Sequence, residues 1–204
     1  MRSSNLKCGL IGERLGHSFS PLIHACLADY SYTLTEISPE GLEGFVASRQ
    51  LDAYNVTIPY KKAIMPYLDV ISPEATAIGA VNTVVQRDGK LYGYNTDYFG
   101  FCYMLDSSGI NPRDKKVLVL GAGGASATVC AAMGDRGASE IITLDSKQNT
   151  PENIRLHSDA EIIVNATPVG TYPHNLVSPV SLKKFSRLCG VLDLIYNPAR
   201  TALL

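Results

Sequence analysis

The sequence predicts an α/β fold, an N-terminal α/β domain followed by a C-terminal Rossmann-type nucleotide-binding domain. Three observations carry that prediction. Short apolar runs alternate along the whole chain with segments that open on helix-start residues. The run at 116–120 is apolar after its first residue, as strands buried on both faces of a parallel sheet are. It leads straight into Gly121-Ala122-Gly123-Gly124-Ala125 and a small-residue helix.

Taken in order, 7–11 is a first strand ending at Gly12. Ser20-Pro21 opens a helix: serine is a favoured cap, and proline has no N–H to leave unpaired in the first turn. Leu22, Ile23, Cys26 and Leu27 then fall on one apolar face. The β-rich stretch 32–37 is a strand, 39–48 a helix and 53–57 a strand, with Pro59 at the next helix start. Ser72-Pro73-Glu74 repeats the helix-start signal and Gly79 ends that helix. Strands 81–86 and 90–95 flank Arg87-Asp88-Gly89, a hairpin with Asp-Gly turn chemistry. A helix over 98–105 precedes a polar stretch that contains Ser107, Ser108, Gly109, Asn111 and Pro112. Beyond it, strands are expected at 116–120, 140–144, 161–166 and 191–195, the middle two joined by a crossover close to the minimum length. The domains are expected at 1–100 and 101–204.

Composition limits the function. A chain of 204 residues is one large domain or two small ones. Eighteen basic against nineteen acidic residues give a net charge of −1, which removes the electrostatic footprint of a nucleic-acid binder. Hydrophobic content of 46% with 18% charged residues is globular material able to bury a core. No apolar run is long enough to span a bilayer, and residues 1–10 lack the apolar core of a signal peptide. Five cysteines without CxxC spacing read as free thiols of a reducing compartment, hence a cytoplasmic protein. No Cys/His pair has ligand spacing, so no metal site is expected.

Three groups of residues carry chemistry. The first is Gly121–Ala125, where glycines let the backbone approach a pyrophosphate at a helix N-terminus; the other reading is a tight turn without a ligand. Ser126 replaces the third glycine of the full fingerprint. Asp145, at the end of the next strand, stands close to the spacing at which an acid bonds the ribose 2′-hydroxyl of NAD. Ser146 is not the arginine expected for NADP, while Lys147 keeps both dinucleotides open, as does a merely solvated Asp145. The second group is Ser18 and Ser20 at a helix start, a seat for a small carboxylate or simply a cap. The third places Thr57, Lys61, Asn82 and Asp97 near strand ends, where open α/β sheets bind ligands. A Lys61–Asp97 pair could move a substrate hydroxyl proton, although Lys61 and Lys62 also fit a solvated surface.

Six motifs in order are Asn55–Lys61 (NVTIPYK), Ala80–Thr83 (AVNT), Asn95–Asp97 (NTD), Gly121–Ala125 (GAGGA), Asn165–Gly170 (NATPVG) and Asp193–Leu204 (DLIYNPARTALL). Together they resemble the shikimate dehydrogenase family, which includes the quinate/shikimate dehydrogenases, from about Cys8 to Leu204. The resemblance implies a substrate domain followed by a Rossmann domain. It also implies reversible NAD(P)H-dependent reduction of 3-dehydroshikimate to shikimate in aromatic amino-acid biosynthesis, by a monomer or homodimer with a small-molecule substrate. By the same resemblance Ser18 and Ser20 hold the substrate carboxylate, and Thr57, Asn82 and Asp97 contact ring hydroxyls. Lys61 is the catalytic lysine with Asp97 as its partner, and Tyr196 lines the substrate site. Gly121, Ala122, Gly123, Gly124 and Ala125 form the pyrophosphate loop, with Asn165, Thr167 and Pro168 in a second loop at the cofactor.

Departures from the family pattern set the remaining expectations. Asp145-Ser146-Lys147 stands where NADP-using members carry Asn-Arg-Thr, which favours NAD. The family's further strand and helices, with a glutamine that contacts substrate, would lie past Leu204; a shortened protein or a longer reading frame is expected. The alternatives are a quinate/shikimate dehydrogenase with NAD preference and a shortened, non-catalytic ligand-binding relative. The tetrahydrofolate dehydrogenase architecture also offers two α/β domains with a lysine, but Ser18, Ser20 and Asp97 fit it poorly.

Overall fold

The computed structural model describes residues 5–16, 18–27 and 29–204, without the side chain of residue 151. Residues 1–4, part of the stretch on which the leader expectation rests, lie outside them. The chain divides into two units, Met1–Thr96 and Asp97–Leu204.

The first unit is built from β1 (Lys7–Gly12), α1 (Ser20–Leu27), β2 (Ser31–Glu36), α2 (Leu42–Ser48) and β3 (Ala53–Val56), then α3 (Tyr60–Ala63), β4 (Val70–Ile71), α4 (Pro73–Ile78), β5 (Thr83–Arg87) and β6 (Lys90–Tyr94). Its six-stranded sheet has the order β2-β1-β3-β5-β6-β4. Strand β1 is parallel to β2 and β3, while β5 runs antiparallel to β3 and β6. This register gathers the carboxyl ends of β1, β3 and β6 and the amino end of β5 at one edge. Val56, Val84 and Leu91 from the sheet pack with Leu42 and Val46 of α2 and with Tyr60 and Ile64. The Tyr60 hydroxyl donates to the Ile37 carbonyl, which pairs the one polar atom of that buried ring.

Local chemistry explains most of these elements. The β5–β6 turn puts Asp88 and Gly89 at φ of 52° and 73°, the left-handed pair that a two-residue hairpin of matching twist demands. Ser72 accepts the Ala75 N–H and caps α4. Helix α1 differs from expectation. Its apolar face is not buried: Leu22, Ile23 and Leu27 are 67%, 56% and 68% exposed. The helix docks on β2 through His24 instead, whose ring stacks on Tyr32 at 3.9 Å and whose Nδ1 is hydrogen-bonded to the Tyr30 hydroxyl.

The second unit contains α5 (Thr96–Ser108), which begins at the division, then β7 (Lys116–Leu120), α6 (Gly124–Asp135), β8 (Glu140–Leu144), α7 (Pro151–Leu156), β9 (Ile162–Asn165) and β10 (Gly190–Asp193). Its four strands are all parallel, in the order β10-β9-β7-β8. Alternation along β7 separates two cores. Val117 and Val119 pack with Phe101 and Leu105 of α5 and Val129, Ala132 and Met133 of α6. Leu118 and Leu120 pack on the other face with Ile154 of α7, Phe185 and Leu203. A strand covered on both faces must be apolar at every position, which is why residues 117–120 carry no polar side chain.

Leu118 is fully buried, and Leu118→Ala should destabilise this unit by about 2–5 kcal/mol, read as a lowered urea midpoint with an unchanged m-value. Glu161, just before β9, accepts from the Lys115 ammonium at 3.0 Å, and Arg187 stands 3.6 Å away. The Lys115 hydrogen bond, with the Lys116 N–H and the nearby cations, holds the Glu161 carboxyl below its ordinary range. Its stabilising contribution is therefore complete above the ordinary carboxylate value and is lost as pH falls through the lowered one. In acid unfolding curves, Glu161→Gln should lose less stability than the wild type across that interval; parallel curves would contradict the linkage.

Candidate functional site

In the first unit the polar residues meet at the edge where β1, β3 and β6 end. The β1–α1 loop is tied down by the Leu15 N–H, which donates to the Glu36 carboxylate at 2.7 Å. Ser18 Oγ accepts the Ser20 N–H at 3.2 Å, so Ser18 performs the capping and Ser20 is the first helical residue. That arrangement leaves the Ser18 hydroxyl proton available to an anion at the amino end of α1.

Thr57 follows β3 and donates its backbone N–H to the Ile11 carbonyl at 3.0 Å, which stitches the two strand ends together. Lys61 sits in α3, half-buried, and its carbonyl accepts the Val81 N–H at 2.7 Å. This bond brings the 80–83 segment to the same edge. Asn82 is only 7% exposed; its Oδ1 accepts the Thr96 N–H at 2.8 Å and its Nδ2 donates to the Thr96 hydroxyl at 3.0 Å. Ser18, Ser20, Thr57, Lys61 and Asn82 are thus brought to one edge of one sheet. Asp97 follows Thr96 as the second residue of α5 and opens the second unit.

Burial pushes the Tyr32 phenol up to about 12, with the Ser20 hydroxyl acting in the opposite direction. The Tyr32 hydroxyl donates to Asn55 Oδ1 at 2.7 Å, and Asn55 Nδ2 donates to the Thr83 hydroxyl at 3.2 Å. Motif reading passes over Tyr32: strand alternation places its side chain on a face but does not show what an edge-strand tyrosine reaches.

In the second unit the strand order reverses at β7 and β9, the crevice where open parallel sheets bind ligands. Gly121 leaves β7 with φ +112°, and a Cβ there would stand 2.9 Å from the Ala166 carbonyl oxygen. Only glycine passes this point without displacing the second loop. Gly123 caps α6 without a side-chain acceptor, and a Cβ on it would meet nothing within 4 Å. The first turn of this twelve-residue helix holds no acid, so its N–H groups face a space suited to a phosphate. Ser126 is buried where the third glycine would pack. The loop of Gly121, Ala122, Gly123, Gly124 and Ala125 therefore fits a dinucleotide pyrophosphate.

The second loop is organised by Asn165, which is fully buried. Its amide nitrogen donates to the Val169 carbonyl at 3.1 Å and to Asp193 at 3.0 Å, and its oxygen accepts from the Thr167 N–H and hydroxyl at 3.0 and 2.6 Å. With all those bonds internal, Asn165 shapes the loop instead of reaching a ligand, and Pro168 lies exposed on its surface. Asp193 also accepts from the Ile195 N–H and the Thr201 hydroxyl, holding the segment that carries the exposed Tyr196. Asp145 Oδ1 accepts the N–H groups of Lys147 and Gln148, both at 2.8 Å, so the carboxylate shapes its own turn.

Residues 10–84 match the shikimate dehydrogenase substrate binding domain. The chain is 40% identical to a shikimate dehydrogenase (NADP(+)) of Clostridium beijerinckii, across 96% of this chain and 80% of that protein. Shikimate dehydrogenase 1 of Peptoclostridium difficile is 40% identical, with a TM-score of 0.82 over 96% of this chain and 79% of the other. The Thermus thermophilus shikimate 5-dehydrogenase, solved with NADP(H) and shikimate, is 34% identical with a TM-score of 0.84 over 98% and 82%. By sequence and by fold, the chain belongs to the shikimate dehydrogenase family.

Proposed function

We propose that the chain catalyses the reversible, nicotinamide-dependent oxidation of shikimate to 3-dehydroshikimate, with NADP(H) as the dinucleotide named for its relatives. The observation that carries this reading is the convergence of Ser18, Ser20, Thr57, Lys61 and Asn82 on one edge of the first unit's sheet. Ser18 and Ser20 offer hydroxyl protons beside a helix amino end, which suits the substrate carboxylate. Thr57, Asn82 and Asp97 supply the polar groups that orient ring hydroxyls.

Oxidation removes a hydride from the ring carbon and a proton from its hydroxyl. A bound dinucleotide would supply the hydride acceptor at this ring carbon. Lys61 takes that proton and returns it in the reverse direction. Gly121–Ala125 would hold the pyrophosphate at the N–H groups of the first turn of α6. A soluble enzyme of a reducing cytoplasm agrees with five free cysteines and with no described helix long and apolar enough to cross a membrane.

Lys61→Ala should lower kcat by about 10²–10⁴-fold, the scale of one acid–base group, in an assay of NADP+ reduction by shikimate with quinate run alongside. Turnover close to wild type would remove Lys61 from the chemistry. Asparagine can accept the same two turn N–H bonds as Asp145 without its charge. Asp145→Asn should therefore raise the ratio of kcat/KM for NADP+ over NAD+ by about tenfold. An unchanged ratio would show that the carboxylate does not face the 2′ position.

A further inference from the structure

Asn82 presents its amide to the substrate edge in one orientation, and the structure contains the device that selects it. The Asn82 oxygen accepts the Thr96 N–H at 2.8 Å and the Thr83 hydroxyl at 3.0 Å, which fills both lone pairs. One N–H of the nitrogen goes to the Thr96 hydroxyl at 3.0 Å and the other is the group left to meet a ligand, so a ring hydroxyl there must accept.

A threonine hydroxyl has one proton and can send it either way. Asn55 Nδ2 donates into the Thr83 oxygen at 3.2 Å, so that proton points away from Asn55, and the Asn82 oxygen at 3.0 Å is a nearer acceptor than the Thr96 hydroxyl at 3.4 Å. Asn55 and Thr83 are direct partners in the antiparallel β3–β5 register, so their side chains stand on one face at contact distance. The Asn55 amide is oriented in turn by the Tyr32 hydroxyl, which donates to its oxygen at 2.7 Å. Proton polarity therefore runs one way, from Tyr32 through Asn55 and Thr83 to Asn82.

We infer that Asn55 is a positioning residue: by donating to the Thr83 hydroxyl it directs that hydroxyl's proton to the Asn82 oxygen and so, together with the Thr96 N–H, holds the Asn82 nitrogen toward the substrate. It acts through Asn82 and sets the hydrogen-bond polarity demanded of the ligand. The inference rests on the reading of Asn82 as a substrate contact.

Asn55→Asp is nearly isosteric and replaces the donating NH₂ with an acceptor. The Thr83 proton then turns toward the introduced carboxylate, and the Asn82 oxygen loses one of the bonds that orient the amide, keeping the Thr96 N–H. Thr83→Val removes the hydroxyl with little change of shape and guards against a misfolded first variant. Either variant should raise KM for shikimate about tenfold, the value of one oriented hydrogen bond, with kcat and the KM for NADP+ near wild type. In an Asn82→Ala background, Asn55→Asp should add no further KM increase. In ¹H–¹⁵N spectra of the ligand-free chain, the Asn82 side-chain pair, identified by its loss in Asn82→Ala, should shift in both variants. An unmoved pair in folded variants, or an additive KM effect, would overturn the positioning role. Absence of shikimate turnover by the wild type would instead defeat the proposed function, and the amide spectrum would still decide the role of Asn55.

Discussion

The placement of β3 between a parallel neighbour and an antiparallel one governs the first unit. Pairing with β1 sends Thr57 to the end where the β1–α1 loop departs, and pairing with β5 brings Asn82 to the same end. A one-residue slip of β5 would turn Thr83 toward the opposite face and carry the 80–82 segment with it. The polar edge is thus a product of backbone register, protected by the apolar face of Tyr54, Val56, Val84 and Leu91. Hydrophobic burial sets the register, and the register sets the chemistry.

The second unit follows a different rule. Its strands are buried on both faces, so its polar groups are confined to the loops at the carboxyl edge. Gly121 and the Ala166 carbonyl approach so closely that the two loops form one surface. Asn165 and Asp193 then hold the second loop and the segment beyond β10 together. Buried polar residues in such a unit gain their place by pairing with each other. This is why residues of a cofactor-loop motif can serve as its fasteners.

Much of this was legible from residue patterns. Apolar runs ending at glycine located β1 and β7, Pro59 marked the helix start just after β3, and the Ser72-Pro73 and Asp88-Gly89 signals marked a helix start and a hairpin with a stated mechanism. Local pattern could not settle α1. Its apolar spacing reads as a core face, yet the aromatic contact between His24 and Tyr32 decides which side meets the sheet. Nor could it separate a capping serine from its neighbour: Ser18 and Ser20 are both able to accept an N–H, and only the loop path makes Ser18 the acceptor. The glycine loop was legible because a strand, a turn and a helix must succeed one another there. The Tyr32–Asn55–Thr83 connection was not, because it joins three strands that are remote in sequence.

The strand order of the second unit also bears on how the chain acquires its structure during synthesis. Strand β7 lies between β8 and β9, and β9 emerges only after two crossovers. The face behind Leu118 and Leu120 is completed by Phe185 and Leu203. Until those residues have left the ribosome, a strand that is apolar from 117 to 120 lacks part of its cover on one face. Contacts so distant in sequence form slowly, and an uncovered strand of this kind is a binding site for chaperones. All six described strands of the first unit's sheet, by contrast, have been made once β6 is complete.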